Sequence, residues 1–246
     1  MNNPFLEDLF NFILGGWKFL EEFLESYIPS SINTLYTDAV NDWNFYYSGV
    51  NVGTKPQFDG TYFKGYCGTA GNSKMYGRIS RTKEIYKPNG RYETEGKFFM
   101  GVPVGGNKGT GSFEISLFGN SLNTNYNSSN YYPNPINFGG IAFSVQASSP
   151  YNCSYCRIYF NGSSVAHTTI SNSAWYYFWM DVDFPSSTIE LYVSTSSTKP
   201  TSPTLSYSFS GLTVVNNAFM CGICSAGSEY NNNYILVDYL KVEKKG

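Results

Sequence analysis

After the first 30 residues, short runs of alternating apolar and polar residues recur between Gly, Asn, Pro and Ser, a pattern typical of antiparallel β-strands. The run 188–193 alternates strictly, as in a strand buried on one face. Another run ends at Asn161-Gly162, a pair that supplies the positive φ angles of a type I′ hairpin turn. The nearly continuous apolar run 175–184 predicts a central strand covered on both faces. Because strands do not alternate with helices, the sequence predicts a mainly β, two-sheet antiparallel sandwich over residues 31–246.

The first 30 residues carry a different pattern, which predicts an amphipathic α-helix over residues 4–28. Pro4 suits the first helical position, Pro29 ends the pattern, and Gly15 and Gly16 would allow a kink or a close helix approach. A second apolar row beside the main seam makes more than half of the helix surface apolar. The main seam has the alternating four-and-three spacing of a heptad repeat and consists of Leu6, Phe10, Ile13, Trp17, Leu20, Leu24 and Tyr27.

Residues 1–30 are therefore predicted to form an assembly helix. Its apolar surface could pack on the chain's own domain, on copies of the chain or other subunits, or at a membrane interface. The polar stripe is acidic, whereas interfacial helices usually carry Lys and Arg, so we expect assembly and leave membrane contact open. The N-terminus lacks the basic start and unbroken apolar run of a secretory signal.

The chain is poor in charge and rich in aromatic residues. Charged residues make up 14% of the chain against roughly 25% in an ordinary domain. The net charge of −2 does not indicate the basic surface that nucleic-acid binding requires. Neutral polar residues replace the missing charge, and Asn127, Asn152 and Asn161 start Asn-x-Ser glycosylation acceptors or occur by chance in an Asn-rich chain. This composition predicts a virion or cell exterior and resembles exterior proteins of thermoacidophilic archaea and their viruses.

The order of several short motifs resembles the concanavalin A-like lectin and glucanase superfamily, which includes laminin G-like modules and glycoside hydrolase family 16. The resemblance implies a two-sheet jelly roll, one face of which often binds glycans. The motifs are Asp42-Trp43 and the segments 90–98, 157–162, 175–178, 188–193 and 237–242.

Family 16 hydrolases carry Glu-x-Asp-x-Glu on one strand, where the period of two places the carboxylates on one face. By order, the matching strand here has Gly140, Ala142 and Ser144 at those positions. The resemblance therefore implies a non-catalytic member.

An enzyme with displaced carboxylates is the alternative hypothesis. Glu93 with Glu95 and Asp181 with Asp183 have the required spacing. The first pair shares its face with two basic residues, which favours a solvated ion-pair face, whereas the second lies in an apolar strand. A single histidine, His167, makes a histidine-based triad or a multi-histidine metal site improbable.

Asp238 is the most informative carboxylate. It shares parity with Leu236, Leu240 and Val242, so we expect it on the core side, where a carboxylate must be hydrogen-bonded, paired or metal-bound. The resemblance implies a structural calcium ion at this position, and a hydrogen-bonded structural Asp is the alternative. No other cofactor is expected.

The five cysteines form two Cys-x-x-Cys pairs and one single residue. A zinc site is disfavoured because positions i and i+3 of a strand point to opposite faces. Disulfides and small buried apolar residues remain the two alternatives for Cys67, Cys153, Cys156, Cys221 and Cys224.

These observations predict a non-catalytic structural or recognition protein, most specifically a tail, spike or capsid-associated component of a virion. Its sandwich would be exposed and its N-terminal helix would hold it in an assembly. Tyrosine-rich loops are the candidate surface for a glycan or a protein, with Tyr126, Tyr131, Tyr132, Tyr151 and Tyr155 as the candidate residues.

Overall fold

The computed structural model describes strands and connections in most of the chain. Side chains are described within 61–62, 88–101, 113–119, 139–145, 154–214 and 235–245. The backbone is described for residues 17–21, 26–27, 35–37, 44–48, 57–59, 61–66, 76–80, 82–84, 88–101, 110–119, 139–148, 153–214, 218–226 and 234–245.

The regular elements in this part of the chain are eighteen β-strands. They are β1 (Trp17–Glu21), β2 (Ser26–Tyr27), β3 (Leu35–Thr37), β4 (Asn44–Ser48), β5 (Gln57–Asp59), β6 (Phe63–Tyr66), β7 (Tyr76–Ser80), β8 (Thr82–Glu84), β9 (Arg91–Met100), β10 (Thr110–Leu117), β11 (Ile141–Ser148), β12 (Cys153–Phe160), β13 (Ser163–Ser171), β14 (Trp175–Asp183), β15 (Thr188–Ser194), β16 (Leu205–Ser208), β17 (Ala218–Ala226) and β18 (Tyr234–Lys245).

The strands form two large antiparallel sheets and one small sheet. The nine-stranded sheet has the order β16-β15-β14-β9-β18-β6-β5-β2, and β1 also pairs with β18. The six-stranded sheet has the order β13-β12-β11-β10-β17-β8, and β3-β4-β7 form the third sheet. The predicted hairpin turn is confirmed between β12 and β13, where Asn161 and Gly162 have φ angles of 48° and 81°. The predicted antiparallel sandwich is confirmed as well.

Phenylalanine side chains from the two large sheets meet in the core. Phe98 and Phe178 come from the nine-stranded sheet, and Phe113 and Phe143 from the six-stranded sheet; all four are fully buried. The ring centroids of Phe143 and Phe178 are 4.6 Å apart, and those of Phe98 and Phe113 are 5.8 Å apart. Each such burial contributes roughly 1.5–3 kcal/mol. This packing fixes which side of each strand faces inward.

The last strand contains an irregularity at Asp238. Val237 pairs with Phe98 and Tyr239 pairs with Lys97, so Asp238 is an extra residue that forms a β-bulge against β9. Ile235 and Val237 are buried before the bulge, whereas Leu240 and Val242 are buried after it.

The prediction that Asp238 and Leu236 share the inward parity of Leu240 and Val242 is therefore wrong. The bulge adds one residue and shifts the alternation, so that Asp238 lies on the outer face of the sheet.

The N-terminal helix prediction is wrong where the structure describes the segment. Trp17 and Leu20 lie in β1, which pairs with the C-terminal part of β18, and Tyr27 lies in β2. β6 pairs only with the start of β18, so the rest of that edge offers β1 hydrogen-bond partners, and Trp and Phe have little intrinsic helix preference to oppose this.

The remaining seam residues, Leu6, Phe10, Ile13 and Leu24, lie outside the described residues, and the domain boundary at residue 30 stays a prediction. Among the described residues, no helix is long and apolar enough to cross a membrane.

Gly96 on β9 provides a test of the bulge. A Cβ atom at this position would lie 2.8 Å from the carbonyl oxygen of Tyr239, in the bulge, and 2.6 Å from the ring of Phe178. We expect Gly96→Ala to lower the free energy of unfolding by about 3 kcal/mol, since both the backbone and the packed ring must move.

Gly211→Ala is the matched control, because Gly211 has a φ of +68° and no heavy atom within 4 Å of an added Cβ. It should cost only about 1 kcal/mol of backbone strain. Urea denaturation of both variants measures the difference, and equal losses would contradict the close approach of the bulge to β9.

Candidate functional site

The outer face of the nine-stranded sheet brings together side chains from three neighbouring strands. Antiparallel register aligns Tyr239 of β18, Lys97 of β9 and Tyr177 of β14 in one row across the sheet. The next row contains Phe99 of β9 and Trp175 of β14. The register therefore places aromatic rings around a lysine.

Four half-buried rings form what we call the aromatic cluster: Tyr62, Phe99, Trp175 and Tyr177. The ring centroid of Trp175 lies 5.2 Å from that of Tyr62 and 5.6 Å from that of Phe99. The Nζ atom of Lys97 lies 4.7 Å from the ring centroid of Trp175 and 5.6 Å from that of Tyr177. Such a surface combines apolar area with a fixed polar group, as ligand sites do.

Lys97 also forms an ion pair with Asp238. Its Nζ atom donates to Oδ2 at 2.5 Å, and the two side chains are 23% and 29% exposed. Burial alone would lower the pKa of Lys97, but the hydrogen bond and the charge of Asp238 raise it above the ordinary value. Asp238 is therefore a hydrogen-bonded Asp, which the sequence analysis gave as the alternative to a calcium ligand.

The described residues do not fit a calcium ion at Asp238. Calcium takes six to eight oxygen ligands, whereas the described partner of this carboxylate is the Lys97 ammonium group, which itself lies against the Trp175 ring. Within the part of the chain that the structure describes, no three His, Cys, Asp or Glu residues are grouped to hold a metal.

A second group on the same face, the carboxylate cluster, consists of Glu93, Asp181, Lys199 and Lys245. Glu93 of β9 lies opposite Asp181 of β14. Lys199 reaches them from the loop between β15 and β16; its Nζ atom is 2.6 Å from Oδ2 of Asp181 and 3.1 Å from Oε2 of Glu93. Lys199 also lies over the buried ring of Tyr192, at 4.6 Å.

Burial and ion pairing have opposite effects on the pKa values of the Glu93 and Asp181 carboxyl groups. Burial raises the pKa of Asp181 above its ordinary value despite the hydrogen bonds from Lys199. Burial would also raise the pKa of Glu93, but hydrogen bonds from Lys245 and Lys199 lower it. The ionised form of Glu93 thus stabilises the fold at neutral pH, whereas ionisation of Asp181 opposes it.

All four oxygens of this carboxylate pair are engaged by lysines. Lys199 donates to both oxygens of Asp181 and to Oε2 of Glu93, and Lys245 donates to Oε1 of Glu93 at 2.6 Å. Asp183 pairs with Arg91 at 2.8 Å. A glycosidase needs one carboxyl group that gives a proton and one that attacks or activates water, and these groups are held in ion pairs instead.

The ion-pair interpretation of Glu93 and Glu95 is confirmed, although the face is only partly solvated. Oε2 of Glu95 lies 3.3 Å from Nζ of Lys241, and Oε1 accepts a hydrogen bond from Tyr239 at 2.8 Å. The side chain of Glu93 is 15% exposed.

Other predicted site residues lie elsewhere. Ala142 and Ser144 are buried on β11 of the six-stranded sheet, and Gly140 precedes that strand. Tyr155 lies on β12 of the same sheet, with the Arg157 guanidinium 4.9 Å from its ring centroid. Tyr155 is thus not part of the aromatic cluster. The remaining candidates lie outside the described residues: Tyr126, Tyr131, Tyr132 and Tyr151.

Cys156 is a free cysteine buried among the core side chains, and burial raises the pKa of its thiol to about 12. Of the two alternatives for the cysteines, Cys156 is therefore a small buried apolar residue and not part of a disulfide. Cys153, Cys221 and Cys224 lie in strands whose side chains are not described at these positions, and Cys67 lies outside the described residues.

Sequence reasoning missed the aromatic cluster. A signal was present, because Trp175, Tyr177 and Trp179 alternate with a period of two and so share one face of a strand. The contacts of these rings with Phe99 and Lys97 of β9 and with Tyr62 could not be predicted, because the sequence does not show how the strands are paired.

No protein-family model matches this sequence, and no curated protein sequence is similar to it. Solved lectin structures share the fold. Peanut lectin with a 9mer peptide has a TM-score of 0.57 at 13% identity, covering 94% of this chain and 97% of that chain. Lectin II from Ulex europaeus has a TM-score of 0.57 at 10% identity, covering 93% of this chain and 99% of that chain. The exoplasmic/lumenal domain of VIP36, in a Ca2+/Man2-bound form, has a TM-score of 0.55 at 11% identity, covering 92% of this chain and 89% of that chain.

At these identities the likeness concerns the fold alone. The chain is a mainly β sandwich with the concanavalin A-like jelly-roll fold of these lectins. The fold that the motif order implied is confirmed.

The carboxylate cluster depends on Lys199. We expect Lys199→Met to lower the free energy of unfolding at pH 7 by about 1–3 kcal/mol, because Glu93 and Asp181 would face each other with one cation fewer. The loss should shrink as the pH falls and the carboxyl groups take up protons. Thermal unfolding from pH 7 to pH 4 measures this trend.

Lys244→Met is the matched control, since among the described residues Lys244 donates to the exposed Asn89, and its ammonium lies 5.7 Å from the Tyr92 ring centroid. A loss for Lys199→Met that is the same at every pH would contradict the proposed electrostatic role of Lys199.

Proposed function

We propose that this protein recognises glycans through the aromatic cluster on the outer face of its nine-stranded sheet. The observation that carries the proposal is the grouping of Tyr62, Phe99, Trp175 and Tyr177 around Lys97. The lectin-like fold supports it, because the solved structures with this fold include lectins.

The chemistry of the cluster suits a sugar ring. The C–H face of a sugar is apolar and packs on an aromatic ring, while the hydroxyl groups at its edge need donors and acceptors. Trp175 supplies the largest ring of the cluster. Lys97 and Asp238 supply a donor and an acceptor beside it, each about a quarter exposed.

The ion pairing of the nearby carboxylates supports a non-catalytic role. Glu93 and Asp181 are the pair that the displaced-carboxylate hypothesis requires, and lysines engage their four oxygens. The proposal is therefore a binding protein and not a glycan-cleaving enzyme.

The narrower hypothesis of a virion component rests on composition. A charge-poor surface rich in neutral polar residues suits an exterior location, where a glycan-binding face would be accessible. We retain a tail, spike or capsid-associated protein as the specific form of this hypothesis. An assembly role through residues 1–30 cannot use a helix at Trp17–Glu21, which is a strand of the sandwich.

Trp175 provides the direct test. We expect Trp175→Ala to weaken glycan binding about tenfold or more, because the central stacking surface is removed, and Trp175→Phe to retain part of it. A glycan array identifies the ligand for the full chain, and isothermal titration then compares the variants.

Tyr155→Ala is the control on the opposite sheet, and we expect it to bind as the parent does. Thermal unfolding of each variant confirms that the fold is retained. If Tyr155→Ala loses binding while Trp175→Ala keeps it, the site lies on the six-stranded sheet. If the array shows no bound glycan, the proposed function is wrong.

A further inference from the structure

Lys97 occupies an unusual position for a surface lysine. Its ammonium group lies against the rings of Trp175 and Tyr177, with the carboxylate of Asp238 as its ion partner. Only 23% of the side chain is exposed. A cation held between rings and a carboxylate has a fixed position, so it can act as an oriented donor.

The fold itself creates this position. At the bulge, Asp238 and Tyr239 are consecutive residues opposite Lys97, and both are partly exposed on the outer face. Asp238 pairs with Lys97, and the Tyr239 hydroxyl donates to Glu95. Gly96 permits the close approach of the two strands, since a Cβ there would overlap the Tyr239 carbonyl oxygen. The ion pair is thus fixed by backbone geometry.

This arrangement opposes a divalent cation. A metal ion on Asp238 would have to displace the Lys97 ammonium or sit beside its positive charge. The nearby carboxylate of Glu95 is already engaged by Lys241 and Tyr239. Hard cations need several free oxygen ligands, and the described groups around Lys97 do not provide them.

The charges near the cluster are also paired. In the described part of this face, Lys97 pairs with Asp238, and Lys241 pairs with Glu95 at 3.3 Å and with Glu243 at 3.1 Å. Among the described side chains, neither a strongly cationic nor a strongly anionic surface faces the rings. An uncharged ligand avoids the cost of breaking these pairs.

We propose that the aromatic cluster binds uncharged sugars without a divalent cation, and that Lys97, held by Asp238, donates to their hydroxyl groups. This inference rests on the proposed function and adds the ligand class and the absence of a metal requirement. The ion pair between Lys97 and Asp238 fixes the position of the donor, and the rings supply the contact area for the sugar.

The first experiment compares matched uncharged and sialylated glycans on an array, in excess Ca2+ or in excess EDTA. We expect the uncharged glycans to bind, with EDTA changing the affinity less than about twofold. Binding that EDTA abolishes and Ca2+ restores would overturn the inference and leave the proposed function standing. A preference for the sialylated partners would overturn the ligand class.

The second experiment needs no glycan. Isothermal titration of Ca2+ into the full chain, treated with EDTA and then dialysed free of it, should give the same heat for the parent protein and for Asp238→Asn. Stoichiometric Ca2+ binding that Asp238→Asn removes would overturn the inference even if the array shows no ligand.

Lys97→Met tests the role of the ammonium group. It keeps an unbranched side chain that is one atom shorter and removes the charge. We expect about tenfold weaker binding of an uncharged glycan, with a shift in tryptophan fluorescence as the Trp175 ring loses its cation. Lys97→Arg, which keeps the charge, should recover part of the affinity. Unchanged affinity in Lys97→Met, with the fold retained, would overturn the role of Lys97.

Discussion

The contact between the inner faces of the two large sheets is the constraint on which the rest of the structure depends. Phe98, Phe113, Phe143 and Phe178 meet there with no exposed surface, and each belongs to a different strand. Once these rings are inside, the period of two assigns every neighbouring residue of those strands to the outer face. The outer face is therefore a consequence of the core.

At the bulge at Asp238 this inward–outward alternation shifts by one residue. A regular β18 would place Asp238 on the same face as Leu240 and Val242, in contact with the core. One extra residue sends it outward to Lys97 and leaves the apolar residues on both sides of it buried. The bulge thereby keeps the Asp238 carboxylate out of the core, where its desolvation would cost several kcal/mol.

These two features show how far the sequence could predict the structure. Alternation in β15 and the Asn161-Gly162 turn are local signals, and both predictions agree with the structure. The N-terminal segment carries a helical spacing, but Trp17 lies in a strand because β18 offers an edge to pair with. That edge is a tertiary feature, and residues more than 200 positions apart in sequence form it.

The candidate site illustrates the same limit. Trp175 and Tyr177 share a face by local alternation, whereas the approach of Lys97 needs the register of β9 against β14, and that of Asp238 needs a bulge. Although the chain has few charges, eight of them lie on one sheet face, where lysines hold the carboxylates in ion pairs. Those pairs engage the carboxylates that the displaced-carboxylate hypothesis requires, and the rings beside them are the surface that we propose for a ligand.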